Sequence, residues 1–366
     1  MSAISGLTTA RSAEHHGVGA RFADVRRRLK AAAAGAARRF ARRFPVVLPL
    51  ALFKRIPGII VIDVTNLCNL RCPVCPVTVA MNRTRGMMPL ATFEAIIDDL
   101  ERNRAKPAIY FNFSGEPTLN DDLPEMVAYA AAHGHETFIS TNATKVDRPL
   151  AERLILAGLS RINLCLDGFS PVAQESYRIR SKFDEVKANI EGFAEARRRL
   201  NKPRPELVLQ TLLTSLSEGQ LDDMVEWAGR IGLDQIRFKT FSLGSYTDEP
   251  TRARYRHLLP TKKAWRRVQT GRESMFCSFP FHQTVVFWNG DLGLCCIDYD
   301  QMVQLPNVAR LGFTAALRTD TAARARRNGF LKRFEVCQSC TYSNAENMGF
   351  RVKLPRAAGD VSIADV

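Results

Sequence analysis

Six times between residues 59 and 241 a short apolar, β-favouring run is followed by a helical stretch, and this alternation restricts the chain to folds built on a parallel sheet with outer helices. The runs are Ile59–Val64, Ala108–Phe113, Thr137–Ser140, Ile162–Leu166, Leu207–Leu213 and Gln235–Phe241. Between them lie amphipathic segments such as Leu90–Arg102, Asp122–His133 and Leu221–Ile231. The first of these spaces Phe93, Ile96, Ile97 and Leu100 along one helical face. Six repeats are too few for an eight-stranded barrel, yet barrel-like folds still carry their chemistry at the C-terminal ends of the strands. Three segments fall there: the loop after Val64, Gly115-Glu116-Pro117, and Thr141-Asn142.

The first loop carries Cys68, Cys72 and Cys75, spaced C-x₃-C-x₂-C. Three thiols are one ligand fewer than a structural zinc or a cubane [4Fe–4S] cluster takes. No Cys or His follows soon after Cys75, so the fourth position is open to something other than protein. In this form the run resembles the signature of the radical S-adenosylmethionine (SAM) superfamily. The resemblance implies an α/β fold, a partial (β/α)6 TIM-like barrel, with a [4Fe–4S] cluster on Cys68, Cys72 and Cys75. It also implies that SAM chelates the open iron and is cleaved to a 5′-deoxyadenosyl radical, with an electron donor such as flavodoxin or ferredoxin.

Further segments match that family's pattern. Phe113-Ser114-Gly115-Glu116-Pro117 resembles its Gly-Gly-Glu-Pro loop, with Ser114 in place of the first glycine; this assigns Ser114, Gly115, Glu116 and Pro117 to the neighbourhood of the SAM amino group. Ser140-Thr141-Asn142 resembles the Thr-Asn-Gly turn, and Cys165-Leu166-Asp167-Gly168 the Ser-x-Asp-Gly segment near the SAM ribose. Thr141, Asn142 and Asp167 thereby join the cofactor-binding set. Val74 departs from the pattern, since an aromatic residue often packs the adenine there. Gln210 and Lys239 face the barrel interior if the strand register allows.

A second cysteine group opens at Cys277. Twelve residues separate it from Gly290 and four more separate Gly290 from Cys295, before a distant Cys337-x₂-Cys340. This resembles a SPASM-type C-terminal extension, in which a hairpin and a C-x₂-C pair hold one auxiliary [4Fe–4S] cluster through Cys277, Cys295, Cys337 and Cys340. Residues 285–294 read as that hairpin, with Asn289-Gly290 as its turn. A four-cysteine zinc site is the competing assignment. Cys296 is spare: it is an alternative to Cys295 as ligand, a structural thiol, or a hydrogen donor to a substrate radical. Cys165 is a weaker donor candidate and is expected chiefly to fill the barrel.

Nine cysteines without a secretion signal argue for a reducing, cytoplasmic setting. The net charge of +15 is concentrated in residues 1–56, which hold 12 Lys/Arg and 2 Asp/Glu. These residues are expected to form a basic, partly disordered leader, with residues 21–53 able to rest on an anionic membrane surface, to form a solvated helix, or to act as a transit peptide. The apolar run Pro45–Phe53 is too short to span a bilayer, and no later run is long enough. The expected division is 57–245 for the barrel, 246–276 for a connection, 277–345 for the auxiliary-cluster domain and 346–366 for a tail. The leading functional expectation is oxidation or epimerisation of a small polar metabolite such as a sugar or aminocyclitol. Maturation of a ribosomally synthesised peptide and a lipid-directed reaction are the enzymatic alternatives. A non-enzymatic iron–sulfur or zinc protein binding RNA is the alternative of another class, although no specific nucleic-acid partner is expected from the core.

Overall fold

Each apolar run becomes a strand whose alternate residues face opposite sides of one sheet. In the computed structural model, residues 49–244, 247–269, 276–338, 340, 345–346, 349–354 and 362–365 are described. The runs form β1 (Ile59–Ile62), β2 (Ala108–Tyr110), β3 (Thr137–Thr141), β4 (Arg161–Cys165), β5 (Glu206–Leu213) and β6 (Gln235–Thr240). They lie side by side in sequence order, each parallel to its neighbours. The intervening helices are α1 (Pro76–Val79), α2 (Leu90–Arg102), α3 (Leu123–Ala132), α4 (Arg148–Leu156), α5 (Pro171–Glu175), α6 (Phe183–Arg199) and α7 (Leu221–Ile231). Helix α2 buries Phe93, Ile96, Ile97 and Leu100, the stripe its spacing predicts.

Period-two patterning separates the two faces of the sheet. Ile60, Ile109, Ile139, Ile162, Leu207, Leu209, Ile236 and Phe238 are fully buried on one face. The other face carries Tyr110, Phe138 and Arg161 on adjacent strands. Tyr110 stacks on Phe138 at 4.5 Å, and the Arg161 guanidinium lies 5.3 Å from the Phe138 ring centre. Tyr110 on β2 is within electrostatic reach of Arg237 on β6, four strands away, so the sheet must curl. The concave side is the interior of a partial barrel, the α/β class expected.

The second half of the chain adds to this sheet. Strand β8 (Gln283–Val286) lies parallel to β1, and β9 (Leu292–Gly293) returns antiparallel to it. The turn between them contains Asn289 and Gly290, the latter at φ +85°, a conformation that favours glycine. Strand β11 (Gly349–Lys353) pairs antiparallel with β6, and β12 (Ser362–Asp365) with β11. Among the described residues the sheet has ten strands in the order β12-β11-β6-β5-β4-β3-β2-β1-β8-β9. A two-residue ladder joins β7 (Val268–Gln269) and β10 (Ala345–Glu346). The segment expected as a tail thus covers the otherwise unpaired edge of β6. The remaining helices are α8 (Glu249–Tyr255), α9 (Phe279–His282), α10 (Val308–Leu311), α11 (Phe313–Arg318), α12 (Asp320–Phe330) and α13 (Glu335–Gln338).

Most of the basic leader lies outside the described residues. The end of the segment proposed for membrane contact is packed into protein: Phe53 is fully buried, with its ring 4.9 Å from Phe281 and 5.9 Å from Phe330. The buried Arg326 of α12 donates to the carbonyls of Phe53 and Arg55. Among the described residues no helix is long and apolar enough to cross a membrane.

Candidate active site and auxiliary cysteine centre

The loop after β1 is shaped by its own polar groups. Thr65 Oγ1 donates to the Gly86 carbonyl (2.8 Å) and accepts the Leu67 N–H (3.1 Å). Asn66 Nδ2 donates to the Thr84 carbonyl and Asn66 Oδ1 accepts the Gly86 N–H, each at 2.8 Å. The Cys75 N–H bonds the Cys72 carbonyl (3.1 Å), while the Thr78 and Val79 N–H groups return to the Cys75 carbonyl and start α1. The Leu70 N–H points at Cys68 Sγ (3.4 Å). Burial pushes all three thiols up, Cys72 to about 12, and the nearby Arg178 charge opposes that shift. Three thiols, an amide donor and an adjacent cation suit thiolates bound to iron with one position left open. Among the described residues no three His, Cys, Asp or Glu side chains form a single-ion site.

Gly115 joins this loop to the end of β2. Its φ is +74°, and a Cβ built on it would lie 2.5 Å from both the Thr65 and Leu67 carbonyl oxygens. That close approach lets the Glu116 N–H bond the Leu67 carbonyl at 2.7 Å. The Glu116 carboxylate is 2% exposed and already engaged. Oε1 accepts the Thr118 N–H (3.1 Å), the Thr118 hydroxyl (2.7 Å) and the Thr141 hydroxyl (2.6 Å), and Oε2 accepts the Asn142 N–H (2.7 Å). Glu116 therefore binds the β2 and β3 ends together, with its remaining acceptor capacity on Oε2. Pro117 opens the single 3-10 turn Pro117–Leu119 that supplies the Thr118 donors. Asn142 Nδ2 donates to Asn69 Oδ1 (2.9 Å), tying the third loop back to the cysteine loop. Ala143 sits at φ +60°, where the turn it resembles has glycine.

Ser114, the departure from the expected loop, has partners a glycine would lack. Its hydroxyl donates to Asp63 Oδ1 (2.7 Å) and accepts from Arg83 Nη2 (2.5 Å). Arg83 also pairs with the fully buried Asp63 (2.5 Å), donates to the Tyr299 carbonyl (2.8 Å) and lies 4.6 Å from the Phe287 ring centre. Burial raises the Asp63 carboxyl, with Arg83 as the main opposing influence. No motif in the sequence singles out Arg83.

Asp167 is 1% exposed and accepts from Arg178 Nε (2.5 Å) and the Leu212 N–H (2.8 Å). Arg178 is a second residue without a sequence signal, and its charge acts on Cys68, Cys72, Cys75 and Cys165. Cys165 pairs in register with Gln210 on the concave face. Its thiol lies 3.5 Å from Gln210 Nε2 and 3.7 Å from Ser140 Oγ. Burial raises the Cys165 thiol and lowers the ammonium of Lys239, which lies within electrostatic reach of Cys165. A cavity of about 470 Å³ opens at the opposite, N-terminal ends of the strands, lined by Phe138, Arg161, Arg204 and Glu206 among others. It contains no cysteine and none of the motif residues.

In the auxiliary region Cys277, Cys295, Cys337 and Cys340 line one pocket with Phe279, Leu294, Ile297 and Val336. The Cys277 N–H bonds the Phe330 carbonyl (2.8 Å) and the Cys337 N–H the Phe334 carbonyl (3.0 Å). Four thiols in an apolar pocket fit an iron–sulfur cluster. Cys295 packs with Leu294, Val303 and Ala325, and burial holds its thiol well above the usual range. Burial pushes Cys296 up to about 11, and it lies within electrostatic reach of Cys340 and Cys277. It borders the auxiliary centre, whereas Cys165 is the thiol on the concave face.

Comparison with known proteins agrees with this geometry. A model of the radical SAM superfamily matches residues 62–228, and a model of an iron–sulfur cluster-binding domain, SPASM, matches residues 277–341. Fe-coproporphyrin III synthase of Methanosarcina barkeri is 35% identical over 126 residues, 34% of this chain and 31% of that protein. The mycofactocin maturase MftC of Mycobacterium ulcerans is 30% identical over 176 residues, 46% of this chain and 44% of that protein. The chain thus spans about a third to a half of the length of these curated relatives. Streptococcus suis SuiB bound to S-adenosylmethionine is 16% identical, with 74% of this chain and 68% of that one covered at a TM-score of 0.56, a likeness of fold. With both domains in one chain, the protein carries a radical SAM domain and a SPASM domain, and its cofactors are a SAM-binding [4Fe–4S] cluster, SAM and an auxiliary iron–sulfur cluster.

Proposed function

We propose that the chain cleaves SAM at a [4Fe–4S] cluster held by Cys68, Cys72 and Cys75 and takes hydrogen from a C–H bond of a peptide substrate. The observation that carries the reading is the convergence of the cysteine loop, Gly115, Glu116 and Asn142 at the C-terminal end of one concave sheet. When bound, the cluster and SAM supply the electron and the 5′-deoxyadenosyl radical. The chain's own residues position and insulate. Gly115 lets the second loop touch the cysteine loop, and Glu116 and Asn142 fix the third loop against both. Arg178 brings positive charge beside the thiolates, and buried Val74, Tyr177 and Phe241 exclude water around them. The four auxiliary cysteines belong to the segment whose strand β8 abuts β1, which supports an auxiliary cluster seated against the barrel. An external donor of the flavodoxin or ferredoxin type would reduce the first cluster.

A peptide substrate has support from the relatives: MftC is a mycofactocin maturase, another is a PqqA peptide cyclase, and SuiB has also been solved with precursor peptide SuiA. Oxidation or epimerisation of a small polar metabolite is the second reading. Fe-coproporphyrin III synthase is not named for a peptide, and Cys165 faces the barrel interior as a hydrogen-bearing thiol. The test is 5′-deoxyadenosine formation by the anaerobically reconstituted chain with SAM and dithionite. Wild-type protein is expected to form it and Cys72→Ala to form none. A wild-type chain that holds its barrel cluster and yet leaves SAM intact would overturn the proposal.

A further inference from the structure

The concave face carries cations that nothing described in the chain neutralises. Arg237 on β6 and Arg351 on β11 stand directly opposite each other in register. Like charges so placed repel. The Nε atoms of both are buried and lack a hydrogen-bond partner among the described residues. Among the described residues no carboxylate pairs with either: the nearby Glu206 is held by Arg161 at 2.6 Å. Two residues further along β6, toward the cysteine-loop end, stands Lys239, and burial depresses its ammonium.

The same face also holds two orphaned amide oxygens. Among the described residues, Asn163 Oδ1 and Gln210 Oε1 are buried without a donor, and Gln210 is the register neighbour of Arg237. If either amide were turned over, a buried N–H group would be left in place of the oxygen. Buried groups of this kind are costly unless something pairs with them. With the amides as they stand, the missing partner accepts from the guanidinium groups and donates to the amide oxygens. A fully ionised phosphate ester offers acceptors only, whereas an amino-acid residue offers a carboxylate and an N–H together.

We infer that the barrel interior binds a carboxylate of the peptide substrate between Arg237 and Arg351, with Asn163 and Gln210 receiving the adjoining N–H groups. This rests on the radical SAM reading and specifies its substrate as an acidic residue or a chain end. The Arg237–Arg351 repulsion is then relieved only when substrate is bound. A cationic aminocyclitol would meet repulsion instead.

The test is the thermal unfolding of the reconstituted full chain at fixed ionic strength, titrated with glutarate and, in parallel, with neutral glutaramide. Glutarate is expected to raise the Tm of wild-type protein saturably and glutaramide is not. Arg237→Gln and Arg351→Gln should each weaken the glutarate response about tenfold. In the absence of probe, both variants should unfold no earlier than wild type, because a repulsion has been removed. The inference is overturned if wild-type protein gives no saturable shift, if glutaramide acts equally, or if both variants respond like wild type, which would place binding elsewhere in the chain. 5′-Deoxyadenosine formation without substrate, measured on the same samples, separates the two readings: its persistence alongside a failed titration removes the carboxylate site alone.

Discussion

At the scale of single residues, the constraints come from backbone contact and from partner count. Gly115 combines a left-handed φ with carbonyl oxygens 2.5 Å from where a Cβ would stand. Gly115→Ala therefore adds about 1–2 kcal/mol of backbone strain and a clash that only movement of the cysteine loop relieves. Urea unfolding should show a loss of more than about 2 kcal/mol, and iron should leave the barrel site while the auxiliary site keeps its own. Unchanged stability with full iron would show that the contact is dispensable. The cysteines and Gly115 were legible in the sequence because cluster chemistry and a forced φ dictate residue type at fixed spacing. Arg83 and Arg178 were not, because their roles arise from contacts with distant segments: Arg83 meets Asp63, Ser114 and Tyr299, and Arg178 meets Asp167 and the cysteine loop. Glu116 was legible as a site residue, but its four donors come from two loops whose meeting no linear pattern announces.

At the scale of elements, strands β1 to β6 and helices α2 and α7 follow from periodicity, and their observed bounds differ from the expected ones by three residues at most. Strand β11 escaped notice because its five residues alternate only Phe350 and Val352 with polar neighbours, too little signal beside a short, charged stretch. Its pairing with β6 depends on Gly349, at φ +138°, where a Cβ would lie 1.9 Å from the Phe238 carbonyl oxygen. Gly349→Ala should detach the start of β11 and leave the edge of β6 open. Hydrogen exchange at the amides of residues 236–239 is the measurement: faster exchange there, with β3 and β4 unchanged, is the expected outcome. Exchange as slow as in wild type would mean that the pairing tolerates a side chain.

At the scale of the molecule, one sheet organises both cysteine groups. The first lies in the loop beyond β1, and the second comes from the segment that adds β8 and β9 to the sheet beside β1. Each group should hold its own iron–sulfur cluster, and counting iron and acid-labile sulfide in the anaerobically reconstituted chain tests this claim most directly. Wild-type protein should hold about eight irons and eight sulfides, with Cys72→Ala and Cys337→Ala each falling to about four. About four irons in wild-type protein, unchanged in Cys337→Ala and accompanied by zinc, would contradict the claim and leave the second cysteine group a zinc site.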